Sequence, residues 1–218
     1  WDAAIAAVAA SPRYDGLELA PQLGLLPLEP DPATGLWEFL VWGTGAAPGR
    51  GPDGRQLLDS GTGVVLVLLP GGSTAIGAWE GEDPDVASLL EGPRHRRELA
   101  PFFLSKYELT RGQWQRLQRL GQATDLPAEA GDVLPQGGLL WGEARARLAR
   151  LGLELPTSTQ WEYAARAGSD GPFAVARDEL RRHANLLDRR AIGERVVQRR
   201  YGDDWDDGFA ASAPVGSF

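Results

Sequence analysis

Cysteine and methionine are both missing from this chain of 218 residues. Without a thiol it can form no disulfide, zinc–thiolate site or iron–sulfur centre, and it has no cysteine nucleophile. That absence assigns no compartment; the cytoplasm is favoured only as a default. Basic charge is also in deficit, with 22 Lys and Arg against 30 Asp and Glu and a net charge of −8. This is the wrong sign for a domain that works by neutralising phosphates, so nucleic acid is not expected as a partner. Long apolar runs are absent too. The longest, at 64–69, stops at Pro70, far short of the roughly 20 residues a spanning helix needs, so no membrane partner is expected. Histidine is scarce: His95 and His183 each sit among arginines and lack the spacing of a metal or base constellation.

What remains is 43% hydrophobic and 24% charged, the composition of one folded domain or two small ones. The chain opens at Trp1 onto an Ala-rich stretch with no initiator, so it reads as a piece of a larger protein. Residues 1–16 read as the tail of a preceding segment or a linker. The arginines at 94–97, 145–150 and 189–200 alternate with acids and apolar residues, which suits solvated faces.

Residues 36–42 form a candidate half-buried strand, with Trp37, Phe39 and Val41 alternating against Glu38 and Leu40. Pro52-Asp53-Gly54 marks a turn. The β-branched run at 64–69 reads as a central strand ended by Pro70-Gly71-Gly72, with 73–77 returning as a short strand. An extended segment at 101–108 leads into the first helix. That helix begins with a capping box, Thr110 with Gln113, carries Trp114, Leu117 and Leu120 on one face, and stops at Gly121. The second, at 141–151, turns Ala144, Leu148 and Leu151 inward and its arginines outward, and stops at Gly152. The third repeats the capping box at Thr157 and Gln160 and ends at Gly168. Trp114 and Trp161 are assigned to the core, and Glu162 to a local pair with Arg166.

Beyond Gly168 periodicity fades, and a long irregular region inside a compact domain points to function or to a bound ligand. Asp203, Asp204, Asp206 and Asp207, followed by Gly208-Phe209, have the oxygen chemistry of a calcium loop but not the EF-hand spacing. On composition alone a solvated acidic turn is preferred. There is no phosphate loop and no nucleophile elbow.

Taken in order, VVLVLLPGG at 64–72, PRHRRELAPFFLSKYELTRGQW at 93–114, WGEARARLARLGLELPTSTQWEYAARAG at 141–168, Ala184-Asn185 and DGFAASAPVGSF at 207–218 resemble the formylglycine-generating enzyme, or sulfatase-modifying factor, family. The resemblance covers residues 63–218. Residues 17–62 are similar to an N-terminal extension found in bacterial members, including ones with a kinase domain upstream. The resemblance implies an α+β fold, C-type-lectin-like and poor in regular secondary structure. It also implies structural calcium held by Asn185, the Leu186 carbonyl, Asp207 and the Phe209 carbonyl.

The sequence departs from the family in two places. The Trp-Gly element expected before the Ala-Asn segment is replaced by GPFAVARDELRRHAN, and the family segments that follow PVGSF are not in this chain. The domain is therefore expected to be incomplete at its C-terminus. Copper(I) oxidase chemistry needs soft thiolate ligands, which these residues cannot supply, so no catalytic residue is assigned. Three roles follow from the resemblance: a non-oxidase binding or regulatory module of a larger bacterial signalling protein, part of an oxidase acting on sulfatase cysteines with its own cysteines beyond residue 218, or a lectin-like display protein. A protein or peptide ligand and a kinase domain in the same polypeptide are the partners these roles imply.

Overall fold

In a computed structural model that describes residues 1–77, 92–120, 133–171, 173–194 and 204–218, the apolar run becomes strand β5 (Val65–Leu69). It lies inside a four-stranded antiparallel sheet in the order β1-β2-β5-β8, with β1 at Leu25–Pro30, β2 at Trp37–Val41 and β8 at Phe102–Ser105. Phe39 faces Leu66 across one ladder and Leu68 faces Phe103 across the next. β1 carries Pro27 and Pro30 and its register slips between them. A strand that cannot donate at those positions belongs at an edge.

Helix α1 (Asp2–Ala10), within the stretch assigned above to a tail or linker, covers one side of the sheet. Its Ala4 and Val8 are fully buried with Tyr14, Phe39 and Leu68. Phe39 meets the Trp1 ring at 5.4 Å and the edge of Phe103 at 5.1 Å. The Tyr14 hydroxyl donates to the Leu68 carbonyl at 2.8 Å. Each large apolar side chain buried here stabilises the fold by about 1.5–3 kcal/mol. A second cluster joins Val41, Val64 and Leu66 to Leu109, Leu151 and Leu153.

β2 is not half-buried as its alternation suggested, because Glu38 is completely enclosed. Three in-chain donors make that burial tolerable: the Lys106 ammonium, the Arg50 guanidinium at 2.5 Å and the Gln56 amide at 2.6 Å. Arg50 and Gln56 come from a small hairpin, β3 (Gly49–Arg50) and β4 (Gln56–Leu57), built on the expected Pro52-Asp53-Gly54 turn. Strand β6 (Gly72–Ile76) does form, but it pairs with β7 (His95–Leu99) as a separate ribbon and not with β5.

Helix α2 (Arg111–Gln118) has both halves of its capping box. Gln113 then reaches on to the carbonyls of Thr62 and Gly63, and Arg116 to those of Thr44, Ser60 and Thr62. The helix ends at Gln118; Gly121, the stop expected from sequence, lies outside the described residues. Helix α3 (Trp141–Leu148) runs into a 3-10 turn, Ala149–Leu151, and stops at left-handed Gly152. Its arginines are not all outward, since the Arg147 guanidinium sits 5.5 Å from the centre of the buried Trp114 ring. Helix α4 (Ser158–Arg166) has its capping box and ends in left-handed Ala167, one residue ahead of Gly168.

Trp114 is in the core at 4% exposure, whereas Trp161 is 63% exposed. The helical period that placed Trp161 inward could not show that, among the described residues, that side of α4 is left open. A 3-10 stretch, Arg177–Arg182, and a short helix α5, Arg189–Gly193, are the regular structure found after Gly168 among the described residues. No described helix is long and apolar enough to cross a membrane.

Candidate functional site

Two distant stretches of the irregular half meet through backbone-to-carboxylate bonds. The Leu186 amide donates to Asp207 Oδ2 at 2.8 Å, and the Phe209 amide to Asp207 Oδ1 at 2.9 Å. The Asp207 amide in turn donates to Asp188 Oδ2 at 2.8 Å. Asn185 ties into the same turn, its amide nitrogen donating to the Ala211 carbonyl at 2.6 Å. The four residues that the resemblance singled out, Asn185, Leu186, Asp207 and Phe209, therefore share one hydrogen-bonded knot.

At its centre lies Asp188, a residue the sequence reading did not select. It is completely buried and caps α5 through the Ala191 amide at 3.0 Å. Burial alone would push its carboxyl upward, but the backbone N–H groups of Ala191, Asp207 and Arg190 hold it below the usual carboxylate range. Its sequence signal was an Asp followed by a short run with helical potential, the pattern of an N-cap. Asp188, Asp206 and Asp207 each bring one carboxylate oxygen within 4.8 Å of the others. Asp204 points to solvent, with Arg189 at 3.5 Å; Asp203 lies outside the described residues.

The donor set consists of hard oxygens, which suits a calcium-class cation and no soft metal. Each carboxylate already accepts backbone N–H bonds but keeps further lone pairs. Donation from the Asn185 nitrogen leaves its Oδ1 as an additional oxygen. Among the described residues, the Arg190 guanidinium lies 3.5 Å from Asp206 and is open to solvent. The residues thus fit a hard divalent ion by ligand type.

A second feature lies where the β6–β7 ribbon meets the C-terminal end of α4. Tyr163 anchors the helix there, donating to the carbonyls of Pro70 at 3.0 Å and Gly71 at 3.3 Å. Gly72 admits that contact, because a Cβ at this position would sit 3.1 Å from the Tyr163 hydroxyl. Beside it opens a cleft of about 440 Å³ lined by Ser73, Arg94, Arg96, Tyr163, Arg166 and Ser169, with His95 and Asp170 also on its walls. Arg166 is 8% exposed and fixed at both ends of its fork, by Glu162 at 2.5 Å and the Gly171 carbonyl at 3.2 Å.

The Glu162–Arg166 pair was expected, but its place in a cleft wall was not. The segment 94–97 is exposed as expected, yet Arg94 and Arg96 line this concave surface. His95 contacts the Pro93 carbonyl through Nδ1 at 2.9 Å, and His183 is exposed. Neither histidine belongs to the metal-capable group found among the described residues.

Small antiparallel sheets, short capped helices and an irregular acidic half pinned by carboxylates define a mixed α/β protein of the formylglycine-generating-enzyme fold. The chain belongs to the sulfatase-modifying factor family: the family described as "Sulfatase-modifying factor enzyme 1-like domain" matches residues 59–218. Among solved structures, PvdO from Pseudomonas aeruginosa is similar to it, with a TM-score of 0.53 and 24% identity over 79% of this chain and 68% of that one. That likeness supports the fold. No curated protein sequence matches the chain.

Proposed function

We propose that this chain is a non-oxidase member of the family, a binding or regulatory module of a larger bacterial signalling protein, with a kinase domain as a partner in the same polypeptide. The observation that carries the reading is the open cleft at the β6–β7 ribbon, whose walls carry guanidinium, hydroxyl, imidazole and carboxylate groups. Such a surface offers recognition chemistry. An oxidase of this family would need soft ligands for copper, and a chain without cysteine or methionine supplies none.

The irregular half would be held by structural calcium, through the carboxylate of Asp207, the side-chain oxygen of Asn185 and the carbonyls of Leu186 and Phe209. The buried Asp188 and the neighbouring Asp206 would add negative charge to the same place. Calcium supplies a point where several oxygens converge, and the chain's residues set the loop around it.

The test has two arms. A pooled synthetic peptide library, titrated into labelled protein and followed by heteronuclear NMR, is expected to shift the amides of residues 73–75, 94–96 and 166–169. Incubation with copper(I) and a cysteine peptide of sulfatase type is expected to yield no aldehyde. Aldehyde formation by this chain or by its full-length parent would overturn the reading in favour of the oxidase. Peptide shifts confined to another face would remove the cleft from it.

A further inference from the structure

We infer that the cleft between the β6–β7 ribbon and the end of α4 binds a small zwitterion, its carboxylate at the Arg96 wall and its ammonium at the Asp170 wall. The inference rests on the recognition role just proposed and narrows its ligand class. The lining carries no excess of either charge. Arg166 is neutralised in place, its fork held by Glu162 at 2.5 Å and by the Gly171 carbonyl at 3.2 Å. Arg94 is engaged as well: it donates to the Asp170 carbonyl at 3.4 Å and has a further partner.

What is left is one cation and one anion on facing walls. Arg96 belongs to the ribbon, where its guanidinium donates to Ser73 Oγ at 3.3 Å. Asp170 follows α4. Its carbonyl is taken by Arg94, but its carboxylate has no hydrogen bond or ion pair among the described residues. Arg96 has no ion pair among them either, so the two charges line one concave surface without meeting. A ligand with one charge of each sign satisfies both at once.

The neighbouring groups have the matching polarity. Ser73 Oγ accepts from Arg96, which leaves its hydroxyl proton for a carboxylate held beside that guanidinium. On the other wall the C-terminal end of α4 adds roughly half a negative charge to that of Asp170, which favours an ammonium. His95, whose Nδ1 faces the Pro93 carbonyl, adds no charge in its neutral form. A volume of about 440 Å³ admits a ligand of amino-acid size. Arg96 and Asp170 are both exposed, so each contact alone is weak. A ligand that makes the first contact makes the second within the same molecule, which is where its advantage lies.

The experiment titrates the protein with γ-aminobutyrate and ε-aminocaproate, against butyrate and butylammonium as single-charge controls, at matched ionic strength. Amide shifts in NMR are the readout. Saturable shifts at residues 73–75, 94–96 and 166–169 are expected with an amino acid, at an affinity about threefold or more above either control. A lysyl-glutamate dipeptide blocked at both ends offers the same two charges from side chains. Whether it or a free amino acid binds more tightly identifies the source. Arg96→Gln should remove the preference for an amino acid over butylammonium, and Asp170→Asn the preference over butyrate. Melting temperature checks that both variants fold.

Equal affinity for the zwitterions and either control would overturn the inference, as would preferences indifferent to both substitutions. If library peptides move these amides and no amino acid or dipeptide does, the zwitterion class fails while the recognition role stands. If nothing moves them, both fall.

Discussion

Two groups of carboxylates in this molecule solve the same electrostatic problem in different ways. Beside the central sheet, Asp31 and Glu38 meet Lys106 and Arg50, so two negative charges face two positive ones inside the protein. Lys106 donates to Asp31 at 2.5 Å and to Glu38, while Asp31 also accepts the amides of Ala33 and Thr34 at 2.9 Å. In the irregular half, Asp188, Asp206 and Asp207 converge, and among the described residues backbone N–H groups and solvent-exposed arginines offset them. The first cluster is complete within its own sequence, and its neutrality lets Glu38 sit at zero exposure. Among the described residues the second has hydrogen bonds in place and no enclosed cation, so it is where the proposed ion would act on stability.

The sharpest way to break this contrast is to remove the cation from the complete cluster. Lys106→Ala leaves Glu38 buried beside Asp31 with one partner fewer. It is expected to cost about 3–5 kcal/mol, because the penalty is that of an uncompensated buried charge. Urea unfolding measures it. The paired change Glu38→Gln with Lys106→Met should recover part of the loss. A Lys106→Ala midpoint close to the parent's would show that the charges are not enclosed.

The acidic half should respond to an ion instead. Calcium at a hundred times its dissociation constant is expected to stabilise the fold by about 2.7 kcal/mol if it binds only the native state. A chelator should reverse the gain. Asp207→Ala or Asn185→Ala should abolish it, whereas Lys106→Ala should leave the increment in place, since the two clusters share no residue. Melting curves identical with calcium and with chelator would remove the ion from the account and leave the knot held by hydrogen bonds alone.

Sequence reasoning saw one cluster and not the other, for a physical reason. Capping boxes at Thr110 and Thr157, the Pro52-Asp53-Gly54 turn and the strand at β5 are local, so their residues announce them within a few positions. The acidic loop drew notice because its aspartates are adjacent. Asp31, Glu38, Arg50 and Lys106 span three separate segments, and nothing in any one of them marks a charge as buried. Alternation along β2 even favoured an exposed Glu38. Asp188 was missed likewise, because the Asp207 amide that binds its carboxylate lies 19 residues away. Trp161 failed in the opposite direction: helical period assigns a face, but only the tertiary arrangement decides whether that face is covered. The arginine cleft needed a ribbon and a helix to be brought together, and the order of residues in either one does not show that meeting.

pH separates the two regions by the sign of their titrating groups. Asp31 and Asp188 are both held below the ordinary carboxylate range. For Asp31, burial works upward, but the bonds from Lys106 and from the Thr34 and Ala33 amides outweigh it. An acid whose folded pKa is depressed contributes stability above its unfolded value, about 3.9, and loses it as pH falls through that region. Both clusters therefore weaken in acid, beginning below about pH 5.

Alkaline loss is expected from the sheet side. Lys106 is raised, its bonds to Asp31 and Glu38 outweighing desolvation. Its contribution is present below about pH 10.4 and disappears as pH rises past it. Tyr14 and Tyr107, raised by burial, add loss on the same side, because the unfolded chain releases their protons first. Lys106→Met should thus flatten the alkaline limb of a stability–pH curve while the acid limb from Asp188 persists. An alkaline limb unchanged by that substitution would assign it to the tyrosines.

The smallest expected effect tests whether the acidic half is short of positive charge at all. Arg190 lies 3.5 Å from Asp206 and 3.3 Å from Glu194, with its side chain in water. An exposed pair of this kind adds little to stability and is screened by salt, so Arg190→Ala should leave the calcium-free melting temperature almost unchanged. The same substitution withdraws a positive charge from beside the carboxylates, and apparent calcium affinity should rise modestly at low ionic strength, less so at high. If affinity falls instead, Arg190 is holding Asp206 in a ligating position, and the arginine serves the site as a positioning group. If melting temperature drops sharply without calcium, the acidic half already contains its compensating cation, and the distinction from the Glu38 cluster disappears.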